Sequence, residues 1–326
     1  MARPDESDLR ARAVQEAVMV KLGRNRPANS FTPARERASQ VGEDGVLYIN
    51  DVPYGTEYPN SFLDVWYPDT NLEQPRPVLI YFHGGGFLFG DKIAGDPLAD
   101  ETQVGVKSLI KPFLDDGFCV VCPEYAFAPD HRYPTQVKQV DHVIAFLQSH
   151  RDEFAVDTDR IVIMGGSAGA NLTEIYGLVV SDERYAQRLG IEPSVRAGQV
   201  RGLIIDEAAL GLGDLADENM RTLSETWLGD TDLEGSEQAE QTDVPGNIAG
   251  SYPPVFINAS NVEPFFRQSA EALRDVLDRD GLPYEYFYRD QSVDSLEHGY
   301  VNRHRTNAVA KECLEQMREF ARRVIR

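Results

Sequence analysis

Between Arg160 and Leu172 the chain reads Arg-Ile-Val-Ile-Met-Gly-Gly-Ser-Ala-Gly-Ala-Asn-Leu, and few architectures accept such a stretch. Its first half, residues 161–164, is an apolar, β-branched run that predicts a short buried strand. Its continuation, Asn-Leu-Thr-Glu-Ile-Tyr-Gly-Leu-Val-Val, can run as a buried helix. Between the two, Gly165-Gly166-Ser167-Ala168-Gly169 matches G-x-S-x-G. A serine at the apex of a strand-to-helix turn occupies a strained bend from which its Oγ projects, so the flanking positions must lack bulk. Gly165, Gly166, Ala168 and Gly169 are all small, which makes Ser167 the candidate nucleophile. A five-residue pattern also arises by chance in a chain with 26 glycines, so the other parts must be found elsewhere.

Apolar runs at 45–54, 61–67, 77–82, 118–122, 200–206, 254–259 and 284–288 predict further strands. Helical stretches at 141–150, 267–280 and 307–324 fall between or after them. Several strands are apolar on both faces, as strands covered from both sides must be. The alternation implies an α/β chain built on a mainly parallel sheet. Upstream, Leu9, Ala13, Val14, Ala17, Val18 and Leu22 lie near helical spacing and predict an amphipathic helix over 8–22. Residues 23–40 are basic, contain prolines and read as irregular. We take 1–45 as an N-terminal helical cap segment and 46–326 as the main domain. Residues 207–251 are acidic, lack a clear strand and are too long for an ordinary connection, so they read as a cap insertion with its best helix at 220–228.

The 53 acidic against 32 basic residues give a formal charge of −21, a surface that repels phosphate backbones and anionic lipid. No apolar run approaches the ~20 residues needed to span a bilayer. The first residues carry Asp5, Glu6, Asp8 and Arg10 where a secretory signal needs an apolar core, so a cytoplasmic location is expected. The three cysteines fit a reducing compartment. Cys119 and Cys122 are spaced C-x-x-C, but on a strand such positions face opposite sides, so neither a disulfide nor a metal site is expected.

His83-Gly84-Gly85-Gly86-Phe87 directly follows the strand at 77–82. Its glycines let backbone N–H groups approach a ligand closely. With the N–H of Ala168, the residue after the nucleophile, Gly84, Gly85 and Gly86 are candidate oxyanion donors. Of six histidines only His298 and His304 follow Ser167. His298 lies in Glu-His-Gly-Tyr just after the last strand and is the candidate base, being able to take and return a proton near neutrality. His304, in Arg-His-Arg, reads as the start of an exposed helix. The acid is expected between Ser167 and His298, after the penultimate strand, where Glu263 stands; Asp290 and Asp294 are the alternatives.

These segments, together with Tyr125-Ala126-Phe127-Ala128-Pro129 and His298-Gly299-Tyr300, resemble the hormone-sensitive-lipase-like branch of the α/β-hydrolase esterases, from about residue 45 to the C-terminus. The resemblance implies an eight-stranded, mostly parallel sheet with helices on both faces and a helical cap. It implies a serine carboxylesterase acting on short-to-medium acyl esters, with a small-molecule ester as its partner and neither metal nor cofactor. Gly166 departs from the family's acidic residue before the nucleophile, Ala126 from its arginine, and Glu263 from its more common aspartate. An amidase or formamidase on the same triad, and a non-catalytic ligand-binding protein on this fold, are the competing readings. The sheet edge near 284–288 and the C-terminal helix are the candidate surfaces for a homodimer.

Overall fold

The computed structural model describes residues 6–21, 27–92, 105–209, 218–231, 233 and 235–326. Among them nine strands form one sheet: β1 (Ala38–Val41), β2 (Leu47–Pro53), β3 (Phe62–Tyr67), β4 (Arg76–Phe82), β5 (Cys119–Pro123), β6 (Val156–Gly166), β7 (Val200–Asp206), β8 (Val255–Asn258) and β9 (Tyr284–Phe287). Their spatial order is β1-β2-β3-β5-β4-β6-β7-β8-β9. The first four in that order pair antiparallel; from β5 through β4 to β9 every pair is parallel. The eight expected strands are all present, and β1 is added at the edge. It escaped the sequence reading because its residues are largely exposed and show no apolar alternation.

The helices are α1 (Glu6–Lys21), α2 (Gly105–Ile110), α3 (Pro112–Asp115), α4 (Thr135–Ser149), α5 (Ala168–Ser181), α6 (Glu183–Arg188), α7 (Glu218–Leu228), α8 (Glu237–Thr242), α9 (Val244–Asn247), α10 (Pro264–Asp280) and α11 (Ala308–Val324). Successive side chains of a strand point to opposite faces. In β4, Val78, Ile80 and Phe82 enter one core cluster, while Leu79 and Tyr81 enter the other. Helices α4, α5 and α10 cover the first face, and α11 with α2 and α3 covers the second. Cys119 and Cys122 fall in different clusters, on opposite faces as their spacing requires, and both thiols are free and buried. Burial of each large side chain such as Ile163 contributes roughly 1.5–3 kcal/mol.

Helix α4 begins earlier than its apolar pattern suggested. Its first turns carry buried Gln136 and Gln139, which break the apolar spacing but serve the backbone. Gln139 Oε1 accepts from Ala126 N at 2.8 Å, and Gln136 Nε2 donates to Ala126 O at 2.8 Å. Ala126 is thus held through its main chain by two side chains of α4. In the 207–251 stretch, α7 matches the expected helix and α8 and α9 follow it; residues 210–217 of that insertion lie outside the described residues, as do 22–26 of the N-terminal segment. No described helix is long and apolar enough to cross a membrane.

Candidate active site

The parallel strands β4, β6, β7 and β8 end side by side, and the chemistry-bearing residues are gathered there, where open α/β sheets bind ligands. Ser167 joins β6 to α5 with φ 55° and ψ −118°, a conformation that costs a non-glycine residue of order 1–3 kcal/mol. The bend is held by Ser167 N donating to Asp206 O at 2.8 Å, at the end of β7. It also depends on close packing. A Cβ on Gly165 would fall on the Gly169 carbonyl, and one on Gly169 would fall on the carbonyl of Phe82, at the end of β4. The two outer glycines of the motif are therefore demanded by main-chain contact. Ala168 is the first residue of α5, and first-turn amides have no intrahelical acceptor.

His298 Nε2 stands 3.0 Å from Ser167 Oγ. The imidazole is stacked on Phe266 of α10, with centroids 4.3 Å apart and planes at 15°. The structure thus brings together the two residues expected as nucleophile and base. His304 is elsewhere, with Nε2 3.3 Å from Ser108 Oγ.

The carboxylate at the other imidazole nitrogen differs from the expected one. Glu207 Oε2 is 3.2 Å from His298 Nδ1 and accepts from Gly299 N at 2.6 Å. Glu207 directly follows β7 and has φ 62°, a left-handed turn that ends the strand. Glu263 does not take this place. It precedes α10 as its N-cap residue without a side-chain cap bond, and its Oε2 is buried with no hydrogen-bond partner among the described residues. β7, which ends at Glu207, lies next to β6, whereas Glu263 follows β8 at the start of α10. Asp290 and Asp294 are also engaged elsewhere, Asp290 with Ser292 N at 2.7 Å and Asp294 with Asn307 Nδ2 at 2.6 Å. A carboxylate at the carboxyl end of an apolar strand is visible in the sequence at Glu207, but nothing local ties it to His298.

Asn261, two residues before Glu263, organises the loop that carries His298. Its Nδ2 donates to the carbonyls of Arg289 at 2.9 Å and Asp294 at 2.8 Å, and its Oδ1 accepts from Leu296 N at 2.9 Å. Its main chain adds a bond from Asn261 N to Leu296 O at 2.9 Å.

The glycine loop leaves β4 beside the elbow. Gly85 and Gly86 have φ of 113° and 58°, and Gly85 O accepts from Leu88 N at 3.1 Å and Phe89 N at 3.2 Å. The amides of Gly84, Gly85 and Gly86 have no acceptor among the described residues. Helix α7 roofs this loop. Phe87 stacks on Trp227 at 3.7 Å with planes at 4°, and a Leu223 methyl lies 2.9 Å from where a side chain on Gly86 would begin. Among the described residues no group of three or more His, Cys, Asp or Glu side chains is arranged to hold a metal.

The BD-FAE family profile matches residues 63–273. Esterase LipI of Mycobacterium tuberculosis is 25% identical over 245 residues, which cover 73% of this chain and 70% of LipI. An acetyl esterase of Salmonella schwarzengrund is 24% identical over 268 residues, covering 77% and 75% of the two chains. Among solved structures, esterase B of Lactobacillus rhamnosis superposes with a TM-score of 0.73 at 18% identity, over 98% of this chain and 97% of that one. An esterase of Pyrobaculum calidifontis superposes with a TM-score of 0.67 at 17% identity, over 99% and 95%. The two structures share the α/β-hydrolase fold with this chain.

Proposed function

The chain belongs to the BD-FAE family, within the hormone-sensitive-lipase-like α/β-hydrolase esterases, and we propose that it is a serine carboxylesterase acting on short-to-medium-chain acyl esters through Ser167, His298 and Glu207. The observation that carries this reading is the 3.0 Å approach of His298 Nε2 to a serine Oγ held in a strained strand-to-helix turn. The relatives are named as esterases, one of them as an acetyl esterase, which favours esters with small acyl groups.

In the proposed reaction, Ser167 Oγ attacks the ester carbonyl as its proton passes to His298 Nε2. Glu207 holds the Nδ1–H, so the lone pair of the neutral ring faces the serine, and it then stabilises the imidazolium. The carbonyl oxygen becomes an oxyanion and is met by the N–H of Ala168 and by N–H groups of Gly84, Gly85 and Gly86. One such donor is typically worth about 2.7–4 kcal/mol in the transition state. The intermediate collapses as His298 returns the proton to the leaving alcohol, giving an acyl-serine. Water, deprotonated by His298, then attacks the acyl carbon through a second oxyanion, and the acid leaves as Ser167 regains its proton.

The test is hydrolysis of a p-nitrophenyl ester series from acetyl to long acyl chains, with Ser167→Ala alongside. The expected result is turnover that peaks at short chains and is absent in the variant. Full turnover in Ser167→Ala, or none by the wild type at any chain length, would overturn the reading.

A further inference from the structure

A single buried carboxylate reaches the chain on both sides of the glycines. Glu124 follows β5 and is 2% exposed. Its Oε1 is 2.7 Å from His83 Nε2, at the residue where the chain leaves β4. Its Oε2 accepts from Lys92 N at 3.4 Å, two residues past Gly90. Both points are locked further by groups around them. The ring of His83 is fully buried, stacks on Tyr125 at 4.3 Å and 11°, and has Nδ1 2.6 Å from Gly84 O. Tyr125 Oη donates to His83 O at 2.8 Å. Lys92 Nζ is paired with Asp64 of β3 at 2.7 Å and Asp51 of β2 at 2.9 Å.

We infer that Glu124 is the positioning residue of the oxyanion loop, its two oxygens pinning His83 and Lys92 so that the intervening glycine amides are held in place before substrate arrives. Burying a carboxylate is costly unless each oxygen finds a partner, and here His83 and Lys92, on either side of the glycines, supply partners alongside the neighbouring Tyr125 N at 3.4 Å. Oxyanion donors act because they need no reorganisation as charge develops, so the fixing of this loop belongs to catalysis as well as to folding. The inference rests on the function proposed above, in that the loop is taken as the oxyanion site.

The test compares Glu124→Ala and Glu124→Gln with Asp141→Asn. Asp141 is a buried carboxylate remote from the loop, accepting from Tyr176 Oη at 2.7 Å and Ser194 N at 2.9 Å, and serves as a control for general loss of stability. Two readouts are taken: deuterium exchange of the peptide spanning 83–92, and kcat and KM for a short-chain ester. Glu124→Ala is expected to exchange about tenfold faster in that peptide and to lose about ten- to a hundredfold in kcat, with KM changed less than about threefold. Glu124→Gln is expected to fall between, because an amide satisfies both ends only if it donates to a neutral His83 and accepts from Lys92 N. It also carries the comparison if the alanine variant does not fold. Asp141→Asn is expected to lower the melting temperature while leaving the loop peptide and kcat as in the wild type. Loop exchange and kcat unchanged in the Glu124 variants, or changed equally in Asp141→Asn, would overturn the inference. If the wild type hydrolyses no ester, the esterase reading fails, while the exchange data still decide whether Glu124 holds the loop.

Discussion

Glu207 Oε2 lies 3.2 Å from Nδ1 of His298, so a carboxylate from the end of β7 stands beside the histidine that faces Ser167. The same oxygen accepts from Gly299 N at 2.6 Å, which fixes the backbone next to the ring. A carboxamide at 207 cannot hold the Nδ1–H tautomer with the same charge. We expect Glu207→Gln to lower kcat by about 10³–10⁴-fold, and Glu263→Gln to change it less than about threefold. Steady-state kinetics on one ester with both variants decides the assignment; the reverse ranking would return the role to Glu263.

Asn261 makes three side-chain hydrogen bonds that shape the loop leading to His298. Asn261→Ala leaves the carbonyls of Arg289 and Asp294 and the amide of Leu296 without that partner. Each buried group left unsatisfied costs about 1–3 kcal/mol. Misplacing the base by about an ångström costs up to about 10²-fold in rate. Denaturant melts and kcat should fall together, and a variant with wild-type kcat would show that the loop finds its shape without this residue.

Leu223 of α7 sits over Gly86 with a methyl 2.9 Å from the position of a would-be side chain. A leucine there closes space above the proposed oxyanion loop. In Leu223→Ala the ratio of kcat/KM for hexanoyl over acetyl ester should rise about tenfold, the scale of one methylene admitted to an apolar pocket. An unchanged ratio would place the acyl wall elsewhere.

Glu174 lies in α5 with its carboxyl fully buried and Oε2 lacking a partner among the described residues. Burial, followed by the nearby Asp243 carboxylate, pushes its pKa well above the ordinary 4.5. The folded protein therefore keeps a proton that the unfolded chain releases above about pH 4.5. Stability from this group is fully present below the unfolded value and is lost as pH rises toward the folded one, at up to about 1.4 kcal/mol per pH unit. Glu174→Gln, which does not titrate, should gain on the wild type in denaturant midpoints as the pH rises above about 4.5. A difference independent of pH would rule out the titration.

Eight of the nine strands and the longer helices were legible in the chain because apolar period and length are local properties. Residues 161–164 could only be a buried strand, and the glycines at 165 and 169 announced a turn whose backbone contacts the structure then displays. That Ser167 and His298 belong together was an expectation from a motif and from elimination among six histidines, and the fold places them 3.0 Å apart. The carboxylate was not. Which acid meets a histidine depends on which strand ends stand side by side, and the sheet order that brings β7 next to β6 is a long-range arrangement with no imprint on spacing along the chain. The same holds for Glu124, Asn261 and Leu223. Each looks ordinary in its own segment and acquires a role only when residues from distant parts of the chain are packed against it. Local periodicity and steric demand thus determined most of the elements and singled out Ser167, while tertiary packing alone decided which polar groups meet around Ser167 and His298.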